Sequence, residues 1–439
     1  MKVTIIAMGT RGDAEPCVGF AKRLEAAGHE VRVAGYLNSR SLIEGEGLRF
    51  APIAADLDDI ENSAHGRALL AAGGNLFKSI WHTRGLLDGF SEEYWRSYEE
   101  VCAGADAIVN HHGSPQVATI AERAGVPLVM ASVLPFVGRS RAAPSPYIGP
   151  PPGPGPALNY LSHLFFEQIV WRSIGPAVNR WRRRAFGLPP LPFFGPFGAM
   201  QRQPILYGYS RHLLPRPPDW PANIRVTGFW ETSLPSGWRP PAALVDFLSA
   251  GEPPIYVGFG SMKVGDAREH LRLVGEALRR AGRRGVVALK LSDELRAALP
   301  EHLYVAQGAP HDWLFPRTGG VVCHGGSGTV HRALRAGVPC AVYPYFGDQA
   351  IWGRQVHAVG AGPRPIPRPS LTLDNLTQTI TAVARDASYR RGAEAVARLM
   401  EGEDGLGAAL AAFDEFIDAG AAQLGAGGAR RSAHGATSA

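Results

Sequence analysis

Short apolar runs alternate along the chain with segments in which apolar residues recur at helical spacing. The run Lys2–Ala7 is followed by a loop and by helical periodicity over 16–27, and another apolar run begins at Glu30. This strand–helix–strand order predicts a βαβ unit of a parallel sheet. The same order recurs from Ile255, so the sequence predicts an α/β fold with two Rossmann-like parallel-sheet domains. The predicted strands are 2–7, 30–34, 106–110, 128–132, 205–209 and 224–227 in the first half, and 255–259, 286–291, 303–307, 321–323 and 340–343 in the second.

A polar, proline-rich stretch separates the two halves of the chain. ETSLPSGWRPP (231–241) has the composition of an interdomain linker. We therefore predict a first domain over 1–230, a linker over 231–242 and a second domain over 243–402. Helical spacing continues over 403–423, and the small, polar residues of 424–439 predict a disordered tail.

Two neighbouring segments of the first domain have an unusual composition. AAPSPYIGPPPGPGP (142–156) excludes helix and sheet through its proline and glycine content, so it predicts a mobile loop. The following segment, to Met200, combines aromatic residues with arginines at 180 and 182–184. Two interpretations stay open: helices that cover a binding pocket, or an amphipathic patch that rests on anionic lipid.

The composition is typical of a folded protein of two domains. Of 439 residues, 45% are hydrophobic and 19% are charged, which favours buried cores over disorder. The net charge of +6 comes mainly from scattered arginines, so we expect no nucleic-acid partner. The cysteines form neither a CxxC pair nor a metal-ligand pattern, as expected for reduced thiols in the cytoplasm. We also expect neither a signal peptide nor a membrane span, and the oligomeric state stays open.

The stretch 319–355 carries candidate binding chemistry. HGGSGT (324–329) is a loop of small residues between a predicted strand and a predicted helix. Backbone N–H groups at such a helix N-terminus bind anions, and His324 adds a protonatable donor. Asp348 and Gln349 follow the next strand and form a polar fork about one strand spacing away. A phosphate at one loop and hydroxyl groups at the next describe a nucleotide-sugar.

Several separated blocks in this half resemble one protein family. PHDWLFP (310–316), HGGSGT, GVP (337–339), GDQAIWGR (347–354) and PRPIPRPSLT (363–372) occur in the same order as the donor-binding signature of GT-B glycosyltransferases in the UDP-glycosyltransferase superfamily. The chain is most similar to the bacterial antibiotic and macrolide glycosyltransferases and to the sterol 3-beta-glucosyltransferases. The resemblance implies two domains that face each other across a cleft, with the C-terminal helix crossing back to the first domain.

The resemblance also implies roles for residues of the second domain. The glycine-rich loop and His324 would bind the donor diphosphate without a metal, while the Asp-Gln pair would bind the sugar hydroxyls. Trp313 stays open between a nucleobase contact and core packing. Arg332 stands where plant relatives have a ribose-binding Glu, so the choice between uridine and thymidine is open. The expected donor-binding residues are Ser261, Trp313, His324, Gly326, Ser327, Gly328, Thr329, Asp348 and Gln349.

Three residues of the first domain are candidates for catalysis. Asp13 follows the first strand in GTRGD, at the edge where open α/β sheets place ligands, and the loop lacks a dinucleotide fingerprint. The resemblance places the catalytic base at this position. Partial desolvation on substrate binding would raise the pKa of Asp13 toward a useful value, and a helix cap is the alternative interpretation. His111 and His112 end another strand and stay open as the base or as its partner.

The resemblance therefore implies an inverting, metal-independent hexosyltransferase. The expected donor is UDP-glucose, and the expected acceptor is a hydroxyl of a lipophilic aglycone such as a sterol, polyketide or macrolide. The alternatives are an antibiotic glycosyltransferase that uses dTDP-deoxysugars, a GT-B sugar epimerase, and a non-catalytic module that binds nucleotide-sugars. We expect no cofactor besides the donor, a cytoplasmic location, and peripheral membrane contact as an option.

Overall fold

A computed structural model describes residues 1–70, 76–149, 155–232, 237–259, 267–289, 291–345 and 347–435. The strands described in the first half are β1 (Lys2–Ile6), β2 (Glu30–Tyr36), β3 (Arg49–Ile53), β4 (Ala107–His111), β5 (Leu128–Ser132), β6 (Ile205–Tyr207) and β7 (Ile224–Val226). The helices are α1 (Arg11–Ala26), α2 (Arg40–Gly45), α3 (Leu57–Asn62), α4 (Ala64–Leu70), α5 (Leu76–Asp88), α6 (Glu92–Cys102), α7 (Pro115–Ala124), α8 (Pro156–Phe186) and α9 (Phe197–Met200), with a 3-10 helix at Leu37–Ser39. These strands form one parallel sheet in the order β3-β2-β1-β4-β5-β6-β7.

The second half forms a separate parallel sheet. Its described strands are β8 (Ile255–Gly258), β9 (Gly285–Val287), β10 (Leu303–Val305), β11 (Gly320–Cys323) and β12 (Cys340–Val342). Its helices are α10 (Ala242–Ser249), α11 (Ala267–Arg280), α12 (Asp293–Ala297), α13 (His311–Leu314), α14 (Ser327–Arg335), α15 (Gln349–Ala358), α16 (Leu373–Arg385), α17 (Ala387–Met400) and α18 (Gly405–Gly435), with 3-10 helices at Phe315–Arg317 and Arg368–Ser370. The strand order is β10-β9-β8-β11-β12.

The register of the central strands brings particular loops together. In the first sheet, β1 pairs with β2 on one side and with β4 on the other. In the second sheet, β11 pairs with β8 and with β12. Because parallel strands end at the same edge, the loops after β1 and β4 lie side by side, as do the loops after β11 and β12. Ligand sites of open α/β sheets lie at such edges.

The two domains share an apolar junction. The ring of Phe229 stacks on that of His331 with centroids 4.8 Å apart, and the ring of Tyr209 lies 5.8 Å from Trp352. The N–H of Ser210 in the first domain donates to His331 Nε2 in the second at 3.2 Å. Stacking and a buried hydrogen bond both depend on orientation, so this junction defines how the two carboxyl edges face each other.

The last helix packs on the first domain. Leu406 and Phe413 of α18 are buried in one cluster with Phe20 of α1 and Trp230. The rings of Phe413 and Phe20 meet edge-on with centroids 6.0 Å apart. α18 therefore supports α1, and the first turn of α1 carries Asp13.

Two boundaries differ from the prediction. α1 begins at Arg11 rather than near Pro16, because Thr10 caps it and accepts the N–H of Gly12 at 3.2 Å. α18 continues to Gly435, whereas the sequence predicts a disordered tail from Leu424. Parts of the predicted loop (150–154) and linker (233–236) lie outside the described residues.

Candidate active site

Asp13 and His112 meet at the carboxyl edge of the first sheet. Asp13 lies in the first turn of α1, which follows β1, and His112 comes directly after β4, the neighbour of β1. Asp13 Oδ1 lies 2.9 Å from His112 Nε2. The side chains are 23% and 27% exposed, respectively. The two residues therefore form a hydrogen-bonded dyad that a ligand in the cleft can reach.

The neighbours of His112 determine where its proton lies. The N–H of Leu134 donates to Ser132 Oγ at 3.1 Å, and the same hydroxyl lies 3.0 Å from His112 Nδ1. Because an ionised carboxylate only accepts hydrogen bonds, His112 Nε2–H donates to Asp13. Because both ring nitrogens are engaged, the lone pair that remains for a ligand proton belongs to Asp13.

Asp13 also caps α1. Its Oδ2 accepts the N–H of Thr10 at 2.7 Å and the Thr10 hydroxyl at 3.0 Å, completing a capping box. A Cβ on Gly9, which has φ +122°, would lie 2.3 Å from Asp13 Oδ2, so glycine makes room for the carboxylate. The helix cap, which the sequence left as an alternative, is thus present together with the dyad and orients the carboxylate.

The pKa of Asp13 is lowered in the ligand-free protein. Burial alone would raise this pKa, but the hydrogen bond from His112, the electrostatic interactions with His112 and His111, and the N–H of Thr10 together outweigh it. Asp13 is therefore ionised at neutral pH. Such a carboxylate accepts an alcohol proton only once the alcohol oxygen has begun to form its new bond and has become acidic.

His111 lies behind the dyad. It is fully buried at the end of β4, and its ring centroid is 3.7 Å from that of His112. Burial lowers the pKa of His111 to about 3. Ligating atoms of Asp13, His111 and His112 lie within 4.8 Å of one another, a spacing that the hydrogen bond and ring contact account for. His111 is thus shielded from the cleft, whereas Asp13 and His112 are partly exposed.

The glycine-rich loop lies at the carboxyl edge of the second sheet. Gly326 is the N-cap of α14, so helix geometry leaves the N–H groups of 327–329, which include Gly328 and Thr329, without intrahelical acceptors. His324 folds over this turn, with Nε2 only 2.5 Å from where a Cβ on Gly326 would lie. Burial lowers the pKa of His324 to about 4, although a hydrogen bond with the backbone of Gly258 raises it, so the ring is uncharged at neutral pH. The imidazole and the N-terminus of α14, which favours an anion, therefore lie next to each other.

Asp348 faces the dyad from the second domain. It is the N-cap residue of α15, but its side chain makes no capping bond, and Oδ2 instead accepts from Trp352 Nε1 at 3.1 Å. Burial, and next the negative charge of Asp13, raise the pKa of Asp348 to about 6. The two carboxylates therefore act on each other across one cleft.

The side chain of Ser327 does not point where the sequence predicted. Its Oγ lies 3.3 Å from Nδ1 of the buried His331, because residues four apart share a helix face. The Ser327 hydroxyl thus has a partner within its own helix, whereas the backbone N–H groups at the start of α14 do not. Ser261, expected on the facing loop, lies outside the described residues.

Two further side chains are used for packing. Gln349 is buried, and its Oε1 accepts the N–H of Tyr345 at 2.8 Å, which holds the loop before α15. The ring of Trp313 packs against Trp238 with centroids 5.2 Å apart, as in the core-packing alternative. Of the expected sugar-binding pair, Asp348 is the member whose carboxylate borders the cleft.

An ion-pair network that the sequence did not predict joins the domains at one end of the cleft. Arg332 Nη2 in α14 donates to Glu15 Oε1 in α1 at 2.8 Å and to Thr232 Oγ1 at 2.9 Å. Its Nε also donates to Asp312 at 3.1 Å. The network lines a cavity of about 460 Å³ between the domains, a volume typical of ligand pockets. The sequence gives one sign of this network: Arg332 stands where plant relatives have a ribose-binding Glu.

Two family models and a curated relative match the chain. The model of the glycosyltransferase family 28 N-terminal domain matches residues 3–141, and that of the erythromycin biosynthesis protein CIII-like C-terminal domain matches residues 285–404. A sterol 3-beta-glucosyltransferase of Arabidopsis thaliana is 31% identical over 424 residues, which cover 95% of the chain and 68% of that protein. The chain belongs to the GT-B glycosyltransferases.

Other sterol 3-beta-glucosyltransferases are similar to this glycosyltransferase. A second one from Arabidopsis thaliana is 34% identical over 428 residues, covering 95% of the glycosyltransferase and 66% of that protein. One from Emericella nidulans is 30% identical over 432 residues, covering 94% of the glycosyltransferase and 30% of that protein. The glycosyltransferase thus spans about two thirds of the plant relatives and less than a third of the fungal one.

Solved structures share the fold of the glycosyltransferase. The glycotransferase of kitacinnamycin matches with a TM-score of 0.66 and 17% identity, over 95% of the glycosyltransferase and 99% of that chain. Spinosyn rhamnosyltransferase SpnG, complexed with thymidine diphosphate, matches with a TM-score of 0.61 and 22% identity. The match covers 94% of the glycosyltransferase and 100% of that chain. The predicted fold of two parallel-sheet domains is confirmed, as is the predicted class of enzyme.

Proposed function

We propose that this glycosyltransferase transfers glucose from UDP-glucose to the hydroxyl group of a sterol-like lipophilic acceptor, with inversion at the anomeric carbon. The observation that carries the proposal is the placement of the Asp13–His112 dyad on one domain, opposite the Gly326 loop and Asp348 on the other. The names of the relatives that are 31% and 34% identical support glucose and a sterol-like acceptor. The resemblance of the donor-binding motifs supports a uridine diphosphate sugar.

The dyad activates the acceptor in this proposal. The acceptor oxygen attacks the anomeric carbon while the bond from that carbon to the diphosphate breaks, and the bonding electrons leave with the diphosphate. The hydroxyl proton passes to Asp13 as the new bond forms. His112, held in place by Ser132 at Nδ1, keeps the carboxylate directed at the acceptor. Attack from the first domain and departure toward the second require opposite faces of the sugar, hence inversion.

The second domain stabilises the leaving group. The N–H groups of 327–329 and the ring N–H of His324 converge at the start of α14, where the helix dipole also favours negative charge. These donors are fixed before the reaction, so they need no reorganisation as charge develops on the diphosphate. In this proposal they take the place of the divalent ion that other nucleotide-sugar enzymes use.

Replacing His324 by Ala should weaken the binding of UDP by about tenfold or more, since a hydrogen bond to a charged group is worth about 1.5–3 kcal/mol. Isothermal titration calorimetry with UDP measures the change. His357→Ala is the matched control, because His357 is an exposed histidine of the same domain whose Nδ1 bonds the Gly362 carbonyl at 3.3 Å. Equal UDP affinity for wild type and His324→Ala would contradict the diphosphate role.

The affinity for UDP-glucose should fall as the pH is lowered through about 6, the pKa to which burial and the charge of Asp13 raise Asp348. Above this pH Asp348 is ionised and accepts hydrogen bonds from sugar hydroxyls, whereas below it the carboxyl is protonated. In the Asp13→Asn variant the midpoint of this fall in affinity should move to lower pH, because the charge of Asp13 is one cause of the raised pKa of Asp348. Calorimetry across the pH range tests both shifts, and the same midpoint with UDP alone would refute the assignment to sugar binding.

A second candidate function uses a dTDP-deoxysugar and a polyketide or macrolide acceptor. The match of residues 285–404, which contain the glycine-rich loop and Asp348, to the erythromycin CIII-like C-terminal domain favours it. Arg332, in place of the ribose-binding Glu of plant relatives, leaves the base and ribose contacts open. A matrix of UDP- and dTDP-sugars against sterol, macrolide and flavonoid acceptors, read by mass spectrometry, distinguishes the two. Product with dTDP-deoxysugar and macrolide alone would overturn the first proposal.

A further inference from the structure

A group of large apolar side chains is exposed on the first domain. Leu161 and Phe165 lie on one face of α8, four residues apart, and Phe77 and Trp81 have the same spacing on α5. Phe193 and Phe194 follow α8 in the chain. These six side chains are between 53% and 86% exposed. We call them the exposed aromatic surface, and an apolar group of this kind on a folded domain usually marks an interaction site.

Contacts between α5 and α8 place the two helices side by side. Arg84 Nε donates to the carbonyl of Arg172 at 2.6 Å, and Asp88, four residues later, pairs with Arg180, eight residues after Arg172. The two helices therefore run in the same direction, and Phe77 and Phe165 each lie seven residues before the Arg84–Arg172 contact.

The loop after α8 joins the same surface. Gln168 Nε2 donates to the carbonyl of Phe194 at 3.2 Å. The guanidinium of Arg172 lies 4.0 Å from the ring centroid of Phe193, a cation–π contact. The two phenylalanines after α8 are thus held beside the α5–α8 pair.

The two segments that carry the exposed aromatic surface contain more basic than acidic residues. Both acidic residues in 76–88 and 156–196 are used in ion pairs: Asp88 with Arg180, and Glu167 with Arg139 at 2.7 Å. The basic residues in these two segments outnumber them, and Arg183 and Arg184 are exposed at the end of α8. The basic residues are Lys78, Arg84, Arg172, Arg180, Arg182, Arg183 and Arg184.

The exposed aromatic surface adjoins aromatic residues that border the cleft. Phe166, the neighbour of Phe165, stacks on Tyr147 with ring centroids 4.2 Å apart and an interplanar angle of 8°. Tyr147 borders the site, since burial and then the charge of Asp348 raise its pKa. One face of α8 thus points outward while the adjacent residue contacts the cleft.

We propose that the exposed aromatic surface docks on the anionic face of a lipid bilayer. Trp and Phe side chains favour the boundary between head groups and acyl chains, and lysine and arginine beside them attract anionic head groups. None of the described helices is both long enough and apolar enough to cross a bilayer. A lipophilic acceptor would then reach the cleft directly from the bilayer, a consequence that rests on the proposed function.

Vesicle flotation of the full chain tests the docking without any acceptor. Wild type should float with vesicles of phosphatidylcholine mixed with phosphatidylglycerol, and high salt should weaken the binding. Trp81→Ser/Phe165→Ser and Arg183→Glu/Arg184→Glu should each weaken it by about tenfold or more. Leu399→Ser is the matched control, because Leu399 is 55% exposed but lies on α17 of the second domain.

Three results would overturn the docking. Wild type could fail to bind mixed vesicles, or the Trp81→Ser/Phe165→Ser variant could bind as wild type does. Sedimentation could instead show a dimer that this variant dissociates, which would assign the surface to self-association.

Turnover tests the consequence separately. With a sterol in vesicles the Trp81→Ser/Phe165→Ser variant should lose activity, while with the same sterol in cyclodextrin it should match wild type. Vesicle binding by a wild type that transfers no sugar would contradict the proposed function and leave the docking supported. An equal loss of activity with the sterol in vesicles and in cyclodextrin would place Trp81 and Phe165 in acceptor binding. That result would contradict delivery of the acceptor from the bilayer.

Discussion

Asp13→Asn should lower kcat by about 10³-fold while leaving the affinity for UDP nearly unchanged, because removal of a general base typically costs between 10² and 10⁴ in rate. Asn has the size of Asp and can still accept the N–H of Thr10, so the cap of α1 should persist. It cannot take a proton from the acceptor. Initial rates by mass spectrometry and UDP calorimetry on the same preparation measure the two quantities.

The matched control for this substitution is Asp386→Asn. Asp386 also caps a helix, accepting the N–H of Ser388 at 2.8 Å, but it lies at the start of α17 in the second domain. Asp386→Asn should lower the free energy of unfolding by only a fraction of what a helix cap contributes, and it should leave kcat unchanged. Wild-type turnover by Asp13→Asn would remove Asp13 from the reaction and with it the proposed mechanism.

His112→Asn should lower kcat by about 10²-fold, because Asp13 loses the donor that orients it. Asn is chosen since His112 has φ +60°, a backbone conformation that Asn tolerates better than most residues. The Asn side chain is too short to reach Asp13 Oδ1, which lies 2.9 Å from His112 Nε2 in the wild type. Steady-state kinetics should show the loss in kcat, with the affinity for UDP retained.

The double variant Asp13→Asn/His112→Asn separates a positioning role from an independent catalytic role. Groups that act as a unit are not additive, so the double variant should be about as slow as Asp13→Asn alone. A loss equal to the product of the two single losses would instead show that His112 acts on the substrate by itself. Thermal unfolding of all three variants checks that the fold is retained.

The local parts of the site could be predicted from the sequence. The glycine-rich loop is a contiguous pattern, and the start of a helix after a strand sets the geometry of its N–H groups whatever surrounds it. Asp13 was found for the same reason, since a polar residue just after β1 must lie at the carboxyl edge of the sheet. The confirmed two-domain fold likewise follows from repeated strand–helix periodicity.

The parts that could not be predicted depend on contacts between distant segments. The dyad joins residues 99 apart in the chain, and the Glu15–Arg332 bond joins residues 317 apart. The lowered pKa of Asp13 in the ligand-free protein likewise depends on the bond to His112, which outweighs the effect of burial. The inward turn of Ser327 required knowledge that residue 331 is a buried histidine on the same face.

The packing of α18 on α1 sets a rule for making chimeric enzymes from this family. A crossover in the linker alone would combine the base-bearing half of one parent with the terminal helix of another, and Phe413 would then meet a foreign residue in place of Phe20. Swapping donor specificity should therefore use two junctions, one near 242 and one near 404. The graft is then an insert, and the parent that supplies Asp13 keeps both ends of the polypeptide.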